Sequence, residues 1–214
     1  MCSENLIITK HCIIRQNKVI IDGKNDFSID SDASFPDFIR AVYRNYKISY
    51  QKFFKMDNLS KLGFITTELL LQQNDFLNSY KNDEIGIIIS NSGSSIDTDI
   101  KYNDTIKDKA NYFPSPSVFV YTLPNIVIGE ICIRNKIQGE GTFLISEKFN
   151  PDFNYNYIKD LIYKSKIESC ICGWVDFEND KFESLLFLVE KNHNKNNKNI
   201  NFEPKNIREL FDIN

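Results

Sequence analysis

The chain alternates between continuous apolar segments and segments whose apolar residues recur every three or four positions. The first pattern is typical of strands, and an uninterrupted apolar run such as 85–90 is typical of a buried, parallel strand. The Asp22-Gly23 pair predicts a turn after the second strand. Six segments are predicted to be strands: 6–14, 18–22, 85–90, 142–146, 170–177 and 185–189.

A helix start is indicated after residue 33. Ser34 can cap the helix, Pro36 fits its first turn and Asp37 completes a capping box. The apolar stripe that follows at helical spacing consists of Phe35, Phe38, Ile39, Val42 and Tyr46. Further helices are predicted from residue 57 (with Leu59, Leu62, Ile65 and Leu69 inward), over 125–135, around 158–167 and over 204–211, while 97–111 is predicted to be weakly helical or a loop.

Strands that alternate with helices predict a layered α/β fold. The 214 residues, of which 42% are hydrophobic, are enough to bury a sizeable core, and one domain over 1–214 is expected. The segment 191–201 is rich in Asn and Lys and predicts a flexible loop.

The charge and the cysteines exclude several classes of function. The net charge of −3 argues against nucleic acid as the main partner. No apolar run approaches the roughly 20 residues of a membrane span, and the first residues do not resemble a signal peptide, so a cytoplasmic protein is expected. Five cysteines are expected to be reduced, and Cys170-x-Cys172 with two histidines is a poor zinc site, so neither metal nor cofactor is expected.

Several stretches, in order along the chain, resemble the β-ketoacyl synthases. The stretch 121–134 carries Pro124-Asn125, Gly129 and Ile133-Arg134, like a ketosynthase segment with Pro-Asn, Gly and Ile-Arg. Weaker matches are Ile7-Ile8-Thr9, 85–89, Gly139-Glu140-Gly141, 172–176 and 182–190. The resemblance spans nearly the whole chain but only the N-terminal half of a ketosynthase, and it implies a mixed sheet flanked by helices, as in the thiolase fold.

Within that family, the chain is most similar to short ketosynthase-like proteins of aryl polyene and flexirubin-type pigment clusters. The stretch 52–64 is typical of that group. The resemblance implies a chain-length-factor-like subunit that pairs with a full-length ketosynthase in fatty acid or polyketide-type biosynthesis. It also implies an acyl carrier protein as a partner through the complex.

A condensing enzyme needs a thiolate at a helix N-terminus, where the helix dipole lowers its pKa. The resemblance places the nucleophile at Lys148, which cannot form a thioester. The segments that carry the family's two catalytic histidines have no counterpart here, and His11 and His193 lie elsewhere. The chain is therefore expected to have no catalytic residue and no condensing activity of its own.

The resemblance also implies which residues meet a partner. In ketosynthases the strand before the nucleophile pairs across the dimer, and the segment before Pro-Asn lines the partner's acyl tunnel. The corresponding interface residues are Asn125, Thr142, Phe143, Leu144, Ile145 and Ser146. The corresponding tunnel residues are Val118, Phe119, Tyr121 and Leu123.

Three alternatives stay open. The chain could be a stand-alone acyl-transfer enzyme that uses Cys12, Cys132 or a Ser146–Lys148 pair, or a scaffold without a tunnel role. The basic and aromatic stretch with Lys52, Lys55 and Lys61 could dock a carrier protein, although a solvated helix face is the favoured interpretation.

Overall fold

The computed structural model describes residues 5–192 and 199–213, and within them eight strands form one mixed sheet. Its order is β3-β2-β1-β7-β6-β4-β5, and β8 pairs with the first residues of β1. Strand β4 is parallel to β5 and β6, and the other pairs are antiparallel. The strands are β1 Leu6–Arg15, β2 Lys18–Ile21, β3 Lys24–Ser28, β4 Ile85–Asn91, β5 Gly141–Ile145, β6 Ser169–Glu178, β7 Lys181–Lys191 and β8 Ile200–Asn201.

Helices cover both faces of the sheet. They are α1 Phe35–Asn45, α2 Asn58–Leu71, α3 Phe76–Ser79, α4 Ile96–Asp104, α5 Pro116–Phe119, α6 Ile126–Asn135, α7 Pro151–Tyr163 and α8 Pro204–Phe211, with 3₁₀ turns at Gln51–Lys55, Lys109–Asn111 and Val120–Thr122. Local chemistry fixes three of the starts. Ser34, Asp57 and Asn150 each accept a hydrogen bond from a backbone N–H in the first turn of α1, α2 and α7.

Strand alternation divides the core into two layers. Ile171 and Val175 of β6 face α1, α2 and α6, whereas Cys170, Cys172 and Trp174 face the side that α7 and α8 cover. Helix α2 lies in the first layer and is buried on almost all sides. Its approach to α6 depends on Gly63, because a Cβ there would lie 2.4 Å from a methyl carbon of Val127.

Most predicted elements are confirmed, including the buried parallel strand β4, the cap of α1, the inward residues of α2 and the bounds of α8. The elements that were missed are β3, α3, α5 and β8, and α5 begins at Pro116, where a proline fits the first helical turn. Helix α7 begins well before residue 158 and ends at Tyr163, and α4 is a regular helix. The loop expected over 191–201 is too wide, because Lys191 ends β7 and 200–201 form β8; residues 193–198 of that segment lie outside the described residues.

Within the described ranges, no single helix is long and apolar enough to cross a bilayer. The segments Pro116–Thr122 and Ile126–Asn135 reach the required length and composition only when taken together, and they meet at a bend of 98°.

Candidate functional site

The carboxyl ends of the parallel strands β4, β5 and β6 meet at one end of the sheet and border an open cleft of about 610 Å³. Ser92 follows β4, Lys148 follows β5, and Trp174 and Asp176 belong to β6. Arg208 of α8 also lines the cleft and forms an ion pair of 3.0 Å with Asp152 of α7. The end of a parallel sheet is where α/β proteins commonly bind ligands.

Asp176 organises the turn that leaves β4. Its Oδ1 accepts hydrogen bonds from the backbone N–H groups of Ser92 and Gly93, both at 3.2 Å, and its Oδ2 accepts one from the Ser92 hydroxyl. The Asn91 side chain closes the same turn through two hydrogen bonds to the backbone of Ser94. The Asp176 carboxylate therefore holds this turn, and the Ser92 hydroxyl donates to it rather than to a histidine.

Lys148 lies in the bend between β5 and α7, and its side chain is exposed. The Ser146 hydroxyl donates to the backbone carbonyl of Lys148 at 3.0 Å, so the Ser146–Lys148 catalytic pair is not formed. Helix α7 begins only at Pro151, and its first turn is capped by Asn150 and carries Asp152. Proline offers no N–H donor, and Asp152 already balances the helix dipole, so this helix start does not resemble an oxyanion site.

The cysteines and histidines have poor settings for catalysis. Burial raises the pKa of the Cys12, Cys132 and Cys172 thiols, which lowers the thiolate fraction at neutral pH. Burial lowers the pKa of His11, whose backbone N–H donates to Asp22 at 3.0 Å within the sheet. His193 lies outside the described residues. Across residues 5–192 and 199–213, no group of three or more His, Cys, Asp or Glu could hold a metal ion.

The expected tunnel residues point in two directions. Phe119 and Leu123 are more than half exposed, at 53% and 54%, and Val118 is half-buried. Tyr121, by contrast, is 8% exposed and packs in the core, where its hydroxyl donates to Oε1 of Glu130 at 3.1 Å. Sequence reasoning missed Glu130, which is buried inside an otherwise apolar stretch of α6.

Other exposed apolar side chains lie on the elements that pack against this segment. Helix α4 contacts α5 and the turn Val120–Thr122, and the Tyr102 and Phe119 rings lie 5.3 Å apart. We call the exposed set the outer apolar group: Ile96, Ile100, Phe119, Val120 and Leu123. Exposed apolar side chains on neighbouring elements are candidates for a surface that meets a partner.

Strand β5 is an edge of the sheet. It pairs with β4 on one side, and no other strand among those described pairs with its second side. Phe143 is partly buried against the first core layer and Leu144 against the second, while Ile145 is 59% exposed. Ser146 lies one residue beyond the strand, and its N–H donates to the carbonyl of Asn91 at 2.9 Å.

Two further interface candidates have short polar contacts. Thr142 of β5 lies within hydrogen-bond distance of Tyr157 in α7, at 3.2 Å between the hydroxyl oxygens. Asn125 is exposed and precedes α6, where its backbone carbonyl accepts from Gly129.

The basic residues around Phe54 are less available than the sequence indicated. Lys52 forms an ion pair of 2.9 Å with the buried Glu130. Lys61 is half-buried, and that burial lowers its pKa. Lys52 and Lys55 are both exposed, but Lys52 is held by its ion pair with Glu130, so the choice between a docking face and a solvated face stays a prediction.

Comparison with known proteins decides the fold. No family model matches the sequence, and no curated protein matches it significantly. Among solved structures, the ishigamide ketosynthase/chain length factor is similar with a TM-score of 0.66 and 14% identity, over 88% of this chain and 62% of that one. The fold is that of the ketosynthases.

Two further structures agree with this ketosynthase fold. A ketosynthase in complex with its chain length factor from Xenorhabdus doucetiae is similar over 87% of this chain and 79% of that one, with 11% identity and a TM-score of 0.53. A type II polyketide synthase acyl carrier protein in complex with its ketosynthase gives 12% identity and a TM-score of 0.60, over 88% of this chain and 63% of that one.

These likenesses confirm the predicted α/β class and the resemblance to ketosynthases and chain length factors at the level of fold. The chain spans less than two thirds of the length of the first two structures and 79% of the third.

Proposed function

We propose that this chain is a non-catalytic subunit, similar to a chain length factor, that pairs with a full-length ketosynthase and shapes the acyl tunnel of the complex. The observation that carries the proposal is a ketosynthase fold whose loop between β5 and α7 holds an exposed lysine, Lys148, where the resemblance places the nucleophile. The described thiols have pKa values that are raised by burial or lie inside the sheet, so none replaces that nucleophile.

The open side of β5 supports pairing with another chain. An unpaired strand presents free N–H and C=O groups that a partner strand can satisfy, and the exposed Ile145 adds apolar area. The outer apolar group supplies a second contact region. Structures of similar fold are themselves described as ketosynthase complexes, one with a chain length factor and one with a carrier protein.

A role in chain length follows from the outward side chains before Pro124-Asn125. If Phe119 and Leu123 reach the shared tunnel, their volume limits how far an acyl chain extends. An aryl polyene is the proposed product, because the stretch 52–64 is typical of that group. A cytoplasmic location is part of the same proposal.

Reconstitution with the ketosynthase that co-purifies with this chain, and with malonyl-loaded carrier protein, tests the proposal. The chain alone should neither decarboxylate malonyl thioesters nor form an acyl thioester, and Phe119→Ala in the complex should give longer products by mass spectrometry. Lys55→Ala, an exposed residue outside the outer apolar group, is the matched control and should leave lengths unchanged.

Acyl transfer by the lone chain would favour the stand-alone enzyme instead. Unchanged product lengths for Phe119→Ala in an intact complex would leave only a scaffold role.

A further inference from the structure

A buried carboxylate lies behind the expected tunnel segment. Glu130 of α6 is 3% exposed, and its Oε1 accepts hydrogen bonds from the Tyr121 hydroxyl at 3.1 Å and from Nζ of Lys52 at 2.9 Å. Its Oε2 has no hydrogen-bond partner in the described part of the chain. Burial of a charge is costly even when the charge is paired, so an apolar residue would serve better if only packing mattered.

We propose that Glu130 is a positioning residue that holds Tyr121 inward and thereby directs Phe119 toward the partner subunit. The inference rests on the proposed function, since it names the residue that sets the outward side chains of the same segment. Glu130 does not touch an acyl chain itself and acts through Tyr121.

The geometry of the segment makes the coupling direct. Residues 119–122 follow a helical turn, in which each residue rotates by roughly 100–120° about the axis. Side chains that are two residues apart, such as Phe119 and Tyr121, therefore point to nearly opposite sides. Fixing Tyr121 toward the core consequently directs Phe119 outward, as its 53% exposure shows.

Two other contacts hold the same segment. The Ser95 hydroxyl donates to the carbonyl of Thr122 at 2.7 Å, and the Tyr102 ring packs on Phe119 at 5.3 Å. Both partners belong to α4: Ser95 is its N-cap residue, and Tyr102 lies in its last turn. Glu130 links the segment to α6 instead, and through Lys52 to the turn Gln51–Lys55. Three elements therefore meet at the Glu130 carboxylate: α6, the turn Gln51–Lys55 and the turn Val120–Thr122.

Two variants weaken this contact while they keep volume. Tyr121→Phe deletes only the hydroxyl, and Glu130→Gln keeps an acceptor but removes the charge. The matched control is Glu68→Gln, because Glu68 pairs with Arg134, one turn after Glu130 on the same helix, and does not contact the tunnel segment. The control therefore breaks an ion pair between α2 and α6.

Hydrogen exchange on the isolated chain is the first measurement. The amides of Phe119 and Val120 are protected by carbonyls of 115–116 and report on this segment. Tyr121→Phe should speed their exchange about two- to tenfold, the range expected for one lost hydrogen bond, Glu130→Gln should speed it less because an acceptor remains, and Glu68→Gln should leave it unchanged. Equal exchange in all four proteins would overturn the positioning role, whatever the function of the chain.

Product length in the reconstituted complex is the second measurement. Both variants should broaden the distribution of product lengths while complex affinity stays within twofold, and Glu68→Gln should not. If Phe119→Ala changes product length but the two variants do not, Glu130 has no part in setting length. If Phe119→Ala changes nothing either, the proposed function fails, whereas the exchange result still decides the positioning of the segment.

Discussion

Two single positions in this molecule, Gly173 and Glu130, are constrained by contacts with residues that are distant in the sequence. Gly173 of β6 has φ +146°, and a Cβ there would lie 2.0 Å from the carbonyl oxygen of Leu185 in β7. Glu130 and Lys52 lie 78 positions apart, so their pairing is invisible in the sequence. The sequence marks only Glu130, as an acidic residue within an apolar helix. An acidic residue in such a pattern usually lies on the exposed face of the helix.

Gly173→Ala should destabilise the fold by at least 2–3 kcal/mol, roughly, because the clash is with backbone and cannot relax by side-chain rotation. Gly129→Ala in α6 is the control, since nothing lies within 4 Å of its added Cβ. That change should stabilise by about 0.5–1 kcal/mol through helix propensity. Urea unfolding measures both, and equal midpoints for the two variants would contradict the account.

The pH dependence of stability should carry a contribution from His11. Burial lowers its pKa in the folded state below the ordinary value of 6.5, so the unfolded chain binds the proton more readily. This contribution is present above pH 6.5 and is lost as the pH falls from 6.5 through the lower folded-state pKa. His11→Gln should reduce the difference between the urea unfolding midpoints at about pH 7.5 and about pH 5.5. An unchanged difference would show that His11 is not involved.

At the scale of elements, the sequence was informative wherever apolar periodicity or capping chemistry was strong. Strand β4 and helices α1, α2 and α8 were predictable for that reason. Strand β3 is mostly exposed and polar, so no alternating pattern marks it. The start of α7 is marked in the sequence by an Asn cap followed by Pro at the first helical position. The prediction followed the apolar residues from 158 onward and therefore placed the helix too late.

The candidate site was predictable only in part. The resemblance indicated β5, the segment before Pro124 and the position of Lys148. The inward turn of Tyr121 could not be predicted, because it depends on packing against α6 and on a long-range partner.

The contact between α2 and α6 should depend on the pair Gly63 and Val127. Valine is stiff in a helix, so its methyl group cannot easily move away from an added Cβ at 2.4 Å. Gly63→Ala should therefore cost about 1–3 kcal/mol. In the double variant with Val127→Ala, that cost should shrink, giving a non-additive cycle in thermal or urea unfolding. Strict additivity would mean that the helices move apart without strain.

The whole molecule has two different sheet edges. Strand β3 carries Lys24, Asn25 and Asp26, and such polar edges resist pairing. Strand β5 exposes Ile145 and lacks charge within 141–145. We therefore expect another chain to pair with the β5 edge and not with the β3 edge.

Ile145→Lys should reduce self-association of the isolated chain and weaken the complex with its ketosynthase at least tenfold, roughly, because it places a charge on the open edge. Asn25→Lys, on the other edge, is the control and should change neither. Light scattering after size exclusion gives the mass of the isolated chain, and titration gives the affinity. Equal effects of the two substitutions would disprove this difference between the edges.

The pairing of the first strand with the second-last and last strands has a consequence for synthesis. Strand β1 bonds to β7 along most of its length and to β8 at its start, 168–194 positions later. At roughly 5–20 residues per second, a ribosome needs on the order of 10–40 s to make that stretch. During this interval the apolar β1 hairpin emerges without its main partner. We therefore expect nascent chains to depend on a holding chaperone until β7 has emerged.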